Sequence, residues 1–188
     1  MTIYNWITAA AWAAFLIYWF ILSPRPKKSV GGSRHWLIRF ALALFVAALA
    51  YAGATHAPAL PAFALAVSAH PFLGAIGAAC AVVGIAFAIW ARYHLGANWG
   101  MPMTEREEPE LITSGPYAYV RHPIYTGVLL ALLGSTLSAG GWWILIFIGY
   151  AIYFTYAAKK EEKVMLAKFP NQYPAYMARS KMLVPFIF

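Results

Sequence analysis

Two polar clusters hold the residues of this chain that could do chemistry. In the first, Arg121, His122 and Pro123 stand directly before an apolar run, with Tyr117 and Tyr125 close by. A proline disfavours helix at the residue before it and suits the first helical turn, so Arg121 and His122 are predicted to lie at a helix entrance. The unpaired N–H groups of such an entrance favour a carboxylate or a phosphate. Tyrosine rings can stack on a base or surround a cation.

The second cluster is the acidic pair Glu161 and Glu162, which lies among Lys159, Lys160 and Lys163 after the next apolar run. By spacing alone, such a mixture is more typical of a solvated helix face with local salt bridges. The first cluster likewise consists of residue types that are common beside any membrane span. If the two apolar runs form a helical hairpin, however, the end of the second run returns to the start of the first. The two clusters then meet at one level of the membrane.

The composition predicts a membrane protein. Of the 188 residues, 62% are hydrophobic and only 11% are charged, and the mean hydropathy is +0.63. Apolar runs of this length are typical of membrane-spanning helices. We predict an all-α integral membrane helical bundle of one domain, residues 1–188, with three spans in 1–91 and a catalytic half in 92–188. The five predicted spans are residues 3–22, 36–54, 72–91, 124–137 and 142–158.

The distribution of charge orients these spans. In the five-span arrangement, all 14 Lys and Arg residues and all 6 acidic residues fall on one side of the membrane. This asymmetry predicts an outside N-terminus, and a C-terminus and active site in the cytoplasm. It also argues against nucleic acid as a partner, because the basic residues lie between spans and not on one exposed face. Residues 1–22 contain no Lys or Arg, so we interpret them as a retained span and not as a cleaved signal peptide. Cys80 stands alone in an apolar segment, which predicts neither a disulfide nor a metal site.

An ordered set of motifs resembles the isoprenylcysteine carboxyl methyltransferase family and its relatives among the phospholipid methyltransferases. The resemblance extends from about Tyr93 to the C-terminus. It implies S-adenosylmethionine as methyl donor, a cofactor pocket that faces the cytosol, and a tunnel on the lipid side for an apolar or lipid-like acceptor. The motifs are residues 95–99 (LGANW), 111–117 (LITSGPY), 121–127 (RHPIYTG), Glu161-Glu162, Phe169, Tyr173, Tyr176 and 184–187 (VPFI).

The resemblance also implies roles for individual residues. Backbone groups near Leu111 and Ile112 would meet the adenine, His122 and Tyr125 the methionine or ribose part, and Glu161 the amino group. Arg121 and Glu161 are the predicted catalytic pair, because their opposite charges match the carboxylate and the ammonium of the donor. The implied cofactor contacts are Leu111, Ile112, Tyr117, His122, Pro123, Ile124, Tyr125 and Glu161. The apolar tail, residues 182–188, is predicted to dock on the membrane or on the core.

One departure leaves the acceptor open. Family members that methylate prenylcysteine commonly carry an arginine one helical turn before the glutamate that matches Glu161, and this chain has Ala157 there. Both a prenylcysteine carboxylate and a phospholipid amine therefore remain as acceptors. Two other functions are weighed against methyl transfer. The first is a nicotinamide-dependent membrane reductase of the sterol reductase type. Such reductases usually have an aspartate after the glycine that matches Gly127, whereas this chain has Val128. The second is a non-catalytic membrane scaffold.

Overall fold

The computed structural model describes residues 2–22, 70–99, 110–141 and 143–184, with the backbone of 29–30 and 105–106. These residues form five α-helices, so the predicted helical class is confirmed for them. Strand β1 (Ser29–Val30) pairs antiparallel with β2 (Glu105–Arg106). Short 3₁₀ turns occupy Gly96–Asn98 and Gly115–Ala118. The helices are α1 (Ile3–Ile17, continued by a π turn at Tyr18–Leu22), α2 (Pro71–Leu95), α3 (Pro123–Ala139), α4 (Trp143–Lys168) and α5 (Tyr173–Arg179).

Helix α2 is the element best suited to cross a membrane. Together with its C-terminal turn it covers Pro71–Asn98, 28 residues with a mean hydropathy of 2.4, and it alone among the described helices is long and apolar enough to span. Ile3–Ile17 and Pro123–Ala139 are apolar but shorter. The predicted span 36–54 lies outside the described residues, so the count of five spans stays a prediction.

Helix α4 is longer than the span predicted within it. The span was predicted to end at residue 158, whereas the helix continues through the Lys-Glu cluster to Lys168. Lys and Glu are good helix formers, so a charged cluster ends an apolar run without ending the helix. The two acidic residues therefore lie on a continuous helix, as the helical spacing of Ala158, Glu162 and Met165 predicts.

Helices α2 and α3 pack backbone against backbone at two pairs of glycines. A Cβ atom added to Gly84 would lie 2.5 Å from the carbonyl oxygen of Gly127, and one added to Gly77 would lie 2.6 Å from that of Gly134. The two glycines of each helix are about two turns apart and so share one face. Small residues at such positions let spanning helices approach closely. This contact fixes α3, and with it the site at the N-terminal end of α3.

We expect Gly84→Ala to destabilise the protein by about 1–3 kcal/mol, because the added methyl group meets backbone atoms that cannot rotate away. The measurement is the melting temperature of the detergent-purified protein. Gly149→Ala is the matched control, since a Cβ there meets nothing within 4 Å. Equal losses in the two variants would contradict the close contact between the two helices.

Helix α1 is attached to α3 by a row of polar contacts. The Asn5 side chain donates to the carbonyl oxygen of Ser138 at 3.1 Å, and the Thr8 hydroxyl lies 2.8 Å from the Ser138 hydroxyl. The indole of Trp12 donates to the Ser135 hydroxyl at 3.0 Å. Polar contacts of this kind hold helices together in apolar surroundings. These contacts involve the C-terminal half of α3, whereas the candidate site lies at its N-terminal end.

The C-terminal segment docks on the N-terminal end of α3. The backbone N–H groups of Arg121 and His122 donate to the carbonyls of Lys181 and Met182, at 2.8 and 3.2 Å. Met182 and Leu183 are buried in the core, which also contains Tyr125, Phe154 and Ala157 from the α3–α4 hairpin. Docking of the tail on the core is therefore confirmed for these two residues. Residues 185–188 lie outside the described part.

Candidate active site

A tight turn delivers the His-Pro segment to the start of α3. Gly115 has a φ of +59°, and a Cβ there would strike the imidazole ring of His94, so both conformation and space favour glycine. Pro116 and Tyr117 follow and are buried. The Tyr176 hydroxyl donates to the carbonyl oxygen of Tyr117 at 2.7 Å. Burial raises the pKa of Tyr176 to about 12, so this hydroxyl keeps its proton and the turn stays tied to α5.

The imidazole of His122 lies between two carboxylates. Its Nδ1 atom is 3.5 Å from Oε2 of Glu161, and its Nε2 atom is 3.4 Å from Oε1 of Glu162. The ring is parallel to that of Tyr125, with the ring centres 5.4 Å apart. Tyr125 in turn stacks on Phe154 at 4.4 Å. The stack and the two acids together fix the orientation of the histidine.

The two glutamates have different environments although they are neighbours in sequence. Glu161 accepts a hydrogen bond of 2.7 Å from the Tyr125 hydroxyl, and its side chain keeps 27% of its surface exposed. Glu162 keeps only 10% and forms an ion pair of 2.6 Å with Nε of Arg121. Glu161 is thus the carboxylate that a ligand can reach, whereas Glu162 faces the protein.

Arg121 connects α4 to the C-terminal segment. In addition to Glu162, its guanidinium group donates to the backbone carbonyls of Ser180 and Met177, at 2.5 and 3.4 Å. Its side chain keeps 9% of its surface exposed. The geometry is that of a buried group that fixes Glu162 and the end of α5. A catalytic role for Arg121 stays a prediction, and the contacts shown here are structural ones.

The charges in the cluster shift two pKa values in opposite directions. Burial by itself lowers the pKa of His122, but hydrogen bonding and the charges of Glu161 and Glu162 outweigh it and raise the pKa above the ordinary 6.5. Burial by itself raises the pKa of Glu162, but His122 and Arg121 outweigh it and lower the pKa below 4.5. The cluster therefore favours a protonated His122 beside an ionised Glu162.

We expect these shifts to give the protein a pH window of stability. The contribution of His122 is fully present below its unfolded pKa of 6.5 and is lost as the pH rises through the higher folded value. That of Glu162 is present above 4.5 and is lost as the pH falls through its lower folded value. Melting temperatures measured from about pH 4 to pH 9 should fall at both ends. His122→Asn should flatten the alkaline fall, and an unchanged profile in this variant would contradict the assignment.

The structure brings some of the predicted site residues together and leaves others apart. Arg121, His122, Tyr125 and Glu161 form the cluster, as the hairpin argument predicts. Pro123 is buried in the first turn of α3. Of the remaining predicted contacts, Ile124 packs against the core, Tyr117 is buried within the 3₁₀ turn, and Leu111 and Ile112 are half-buried in the irregular segment before it.

Glu162 was noticed in the sequence but was not predicted as a site residue. It lies eight positions after Phe154 and four after Ala158, both buried in the core. That spacing on one helix face places it on the inward side and could have identified it. Ala157 is fully buried on the same side. The position that holds the family's arginine is therefore occupied in this chain by Ala157, a residue of the apolar core.

Comparison with known proteins identifies the family of this chain. Residues 72–172 match the family model described as "Phospholipid methyltransferase", which covers more than half of the chain. The chain belongs to the phospholipid methyltransferase family. The family resemblance predicted from the motifs is therefore confirmed.

Two known proteins illustrate what this chain is similar to. "Cobalt-zinc-cadmium resistance protein CzcN" of Cupriavidus metallidurans is 25% identical over 115 residues, which cover 60% of this chain and 48% of that protein. A solved structure of the eukaryotic intramembrane Ras methyltransferase ICMT (isoprenylcysteine carboxyl methyltransferase) superposes with a TM-score of 0.58 at 23% identity. That match covers 84% of this chain and 55% of the other. The chain thus spans about half the length of each, and it shares the fold of the methyltransferase.

The name of the first relative refers to metal resistance, which raises the question of a metal site. Across residues 2–22, 70–99, 110–141 and 143–184, no group of three or more His, Cys, Asp or Glu residues has a geometry that could hold a metal ion.

Proposed function

We propose that this protein is an S-adenosylmethionine-dependent methyltransferase that acts on a lipid-like acceptor at the membrane surface. The observation that carries the proposal is the cluster at the α3–α4 hairpin, where the accessible carboxylate of Glu161 is held by Tyr125 and His122. Membership of the phospholipid methyltransferase family supports the same reaction. No feature of the cluster favours a nicotinamide-dependent reductase or a scaffold over it.

The residues present fit the proposed methyl donor. S-adenosylmethionine carries an ammonium group, and the part-exposed carboxylate of Glu161 is suited to bind it. Nε2 of His122 lies 3.4 Å from Oε1 of Glu162 without the geometry of a hydrogen bond. Its N–H can therefore still be donated to a bound ligand. Hydrogen bonding and the charges of the two glutamates raise the pKa of His122, which favours the protonated ring, and a protonated ring suits the donor's carboxylate.

The protein's contribution to the reaction is mainly alignment. S-adenosylmethionine supplies a methyl group that is already activated on a sulfonium, so acceleration comes from holding acceptor and donor in line. Tyr125 and His122 orient Glu161 by a hydrogen bond and an ion pair. The ring stack of His122, Tyr125 and Phe154 gives this arrangement a rigid support.

The acceptor we favour is a phospholipid amine. A prenylcysteine carboxylate would need a cationic clamp, and the position one turn before Glu161 is the fully buried Ala157. An amine must lose a proton before it attacks, and a carboxylate or an imidazole nearby can accept that proton. In this proposal the site lies at the cytoplasmic end of five spans, with the N-terminus outside.

Two assays with the detergent-purified protein test the proposal. Calorimetry compares the binding of S-adenosylmethionine with that of NADPH, and we expect binding of the methyl donor alone. A radiolabelled-methyl assay then compares extracted phospholipids with prenylcysteine analogues, and label is expected in the amine-bearing phospholipids. Binding of NADPH in place of the methyl donor would refute methyl transfer. Label in the prenylcysteine analogues alone would refute only the choice of acceptor.

A further inference from the structure

Both faces of helix α4 change from apolar to charged side chains at about the same height along the helix. On the inner face, Phe154, Ala157 and Ala158 are buried, and they are followed by Glu161 and Glu162. On the outer face, apolar side chains are exposed at helical spacing: Leu145 (62%), Ile148 (47%), Ile152 (68%) and Tyr156 (53%). An exposed apolar stripe of this length on a soluble surface would be costly, so it marks contact with lipid or with a partner.

The outer stripe ends in three lysines. Lys159, Lys160 and Lys163 are all exposed and lie three, four and seven positions after Tyr156, which places them on one helix face. Nζ of Lys160 lies 4.8 Å from the centre of the Tyr156 ring. The acidic residues of this helix are Glu161 and Glu162, and both are turned inward toward His122. The outer face at this level is therefore positively charged.

We propose that this face of α4, from Leu145 to Lys163, is a binding site for an anionic phospholipid. The apolar stripe suits acyl chains, and the lysines at its end suit a phosphate-bearing headgroup, so one lipid molecule satisfies both parts. Lysine stems can lie along apolar surface while the ammonium groups reach the headgroup layer. The site lies on the opposite side of α4 from Glu161, so it is distinct from the proposed methyl-donor site.

Native mass spectrometry of the protein in neutral detergent tests this proposal. Wild-type protein is titrated with phosphatidylglycerol and with phosphatidylcholine at low salt, and we expect a clear preference for phosphatidylglycerol. Each lysine neutralised should weaken that preference roughly fivefold, since a surface cation contributes about 1 kcal/mol toward anionic lipid. The triple variant K159Q/K160Q/K163Q should therefore lose most of it. Higher salt should act in the same direction.

Matched variants and competitors make the test decisive. The triple Lys→Arg variant keeps the charges and should keep the preference, and Lys181→Gln, which removes an exposed lysine outside this face, should leave it unchanged. Equal binding of the two lipids, or full preference in the triple Gln variant, would overturn the proposal. So would displacement of the lipid by inorganic phosphate alone, which would assign the lysines to a free anion. A change of oligomeric state without a change in lipid preference would assign the face to a second copy.

The outcome is independent of the proposed methyl transfer. S-adenosylmethionine binding, measured by calorimetry on the same triple Gln variant, should equal that of the wild type, because none of the three lysines contacts the His122 cluster in the structure's described part. Lipid preference without methyl-donor binding would refute the proposed function alone. Methyl-donor binding without lipid preference would refute this inference alone.

Discussion

Glu161→Gln is expected to lower the affinity for S-adenosylmethionine by about 10- to 100-fold while the protein stays folded. The substitution removes the negative charge that we assign to the donor's ammonium group, and a hydrogen bond to a charged group contributes about 1.5–3 kcal/mol. The amide oxygen can still accept the hydrogen bond from Tyr125, so the local structure should survive. Calorimetry gives the affinity, and the melting temperature reports folding.

Lys163→Gln is the control for this prediction. It removes a charge two positions further along the same helix, at an exposed side chain on the outer face of α4. Its affinity for the methyl donor should equal that of the wild type. If Glu161→Gln bound the donor as tightly as the wild type, Glu161 would not be the group that holds the ammonium. A large fall in melting temperature in the same variant would show that Glu161 is needed for folding.

Adjacent positions on one helix thus perform different tasks at this site. Consecutive residues of a helix point about 100° apart, so Glu161 and Glu162 pass on either side of the His122 ring. One is left open to a ligand and the other is closed off by Arg121. His122 therefore contacts both Glu161, which a ligand can reach, and Glu162, which belongs to a buried ion pair.

Much of this arrangement follows from local signals in the sequence. Pro123 marks the first turn of α3, and the apolar runs on either side of Gly140 and Gly141 predict the hairpin that carries Glu161 to His122 and Tyr125. These features depend on backbone restrictions and hydropathy, which act over a few residues. The membership of the family was likewise predicted from motifs that are ordered along the chain.

Other features depend on contacts between distant segments, which no local pattern contains. The backbone bonds that join the tail at Lys181 and Met182 to Arg121 and His122 are of this kind. So is the use of Arg121, which the sequence suggested as a catalytic group and which the structure shows bound to Glu162 and to the end of α5. An arginine beside a histidine can face a ligand or the protein, and only the position of the tail decides between them.

The second large effect is expected at that arginine. Arg121→Met should destabilise the protein by about 3–5 kcal/mol, because it removes the closest ion-pair partner of the buried Glu162 carboxylate and leaves only the longer contact with His122. Glu162 keeps only 10% of its side-chain surface exposed, so water cannot replace the guanidinium. The same variant also frees the carbonyls of Ser180 and Met177. The measurement is the melting temperature of the purified protein, together with its dependence on denaturant.

A double-mutant cycle separates the ion pair from the other contacts of Arg121. Glu162→Leu removes the buried charge, so R121M/E162L should be more stable than the sum of the two single losses by about 1–3 kcal/mol. The part of the loss that does not recover belongs to the carbonyls of Ser180 and Met177 and to the contact of Glu162 with His122. Strictly additive losses would mean that Arg121 and Glu162 act independently. That result would contradict the assignment of Arg121 as the ion-pair partner that stabilises the buried Glu162 carboxylate.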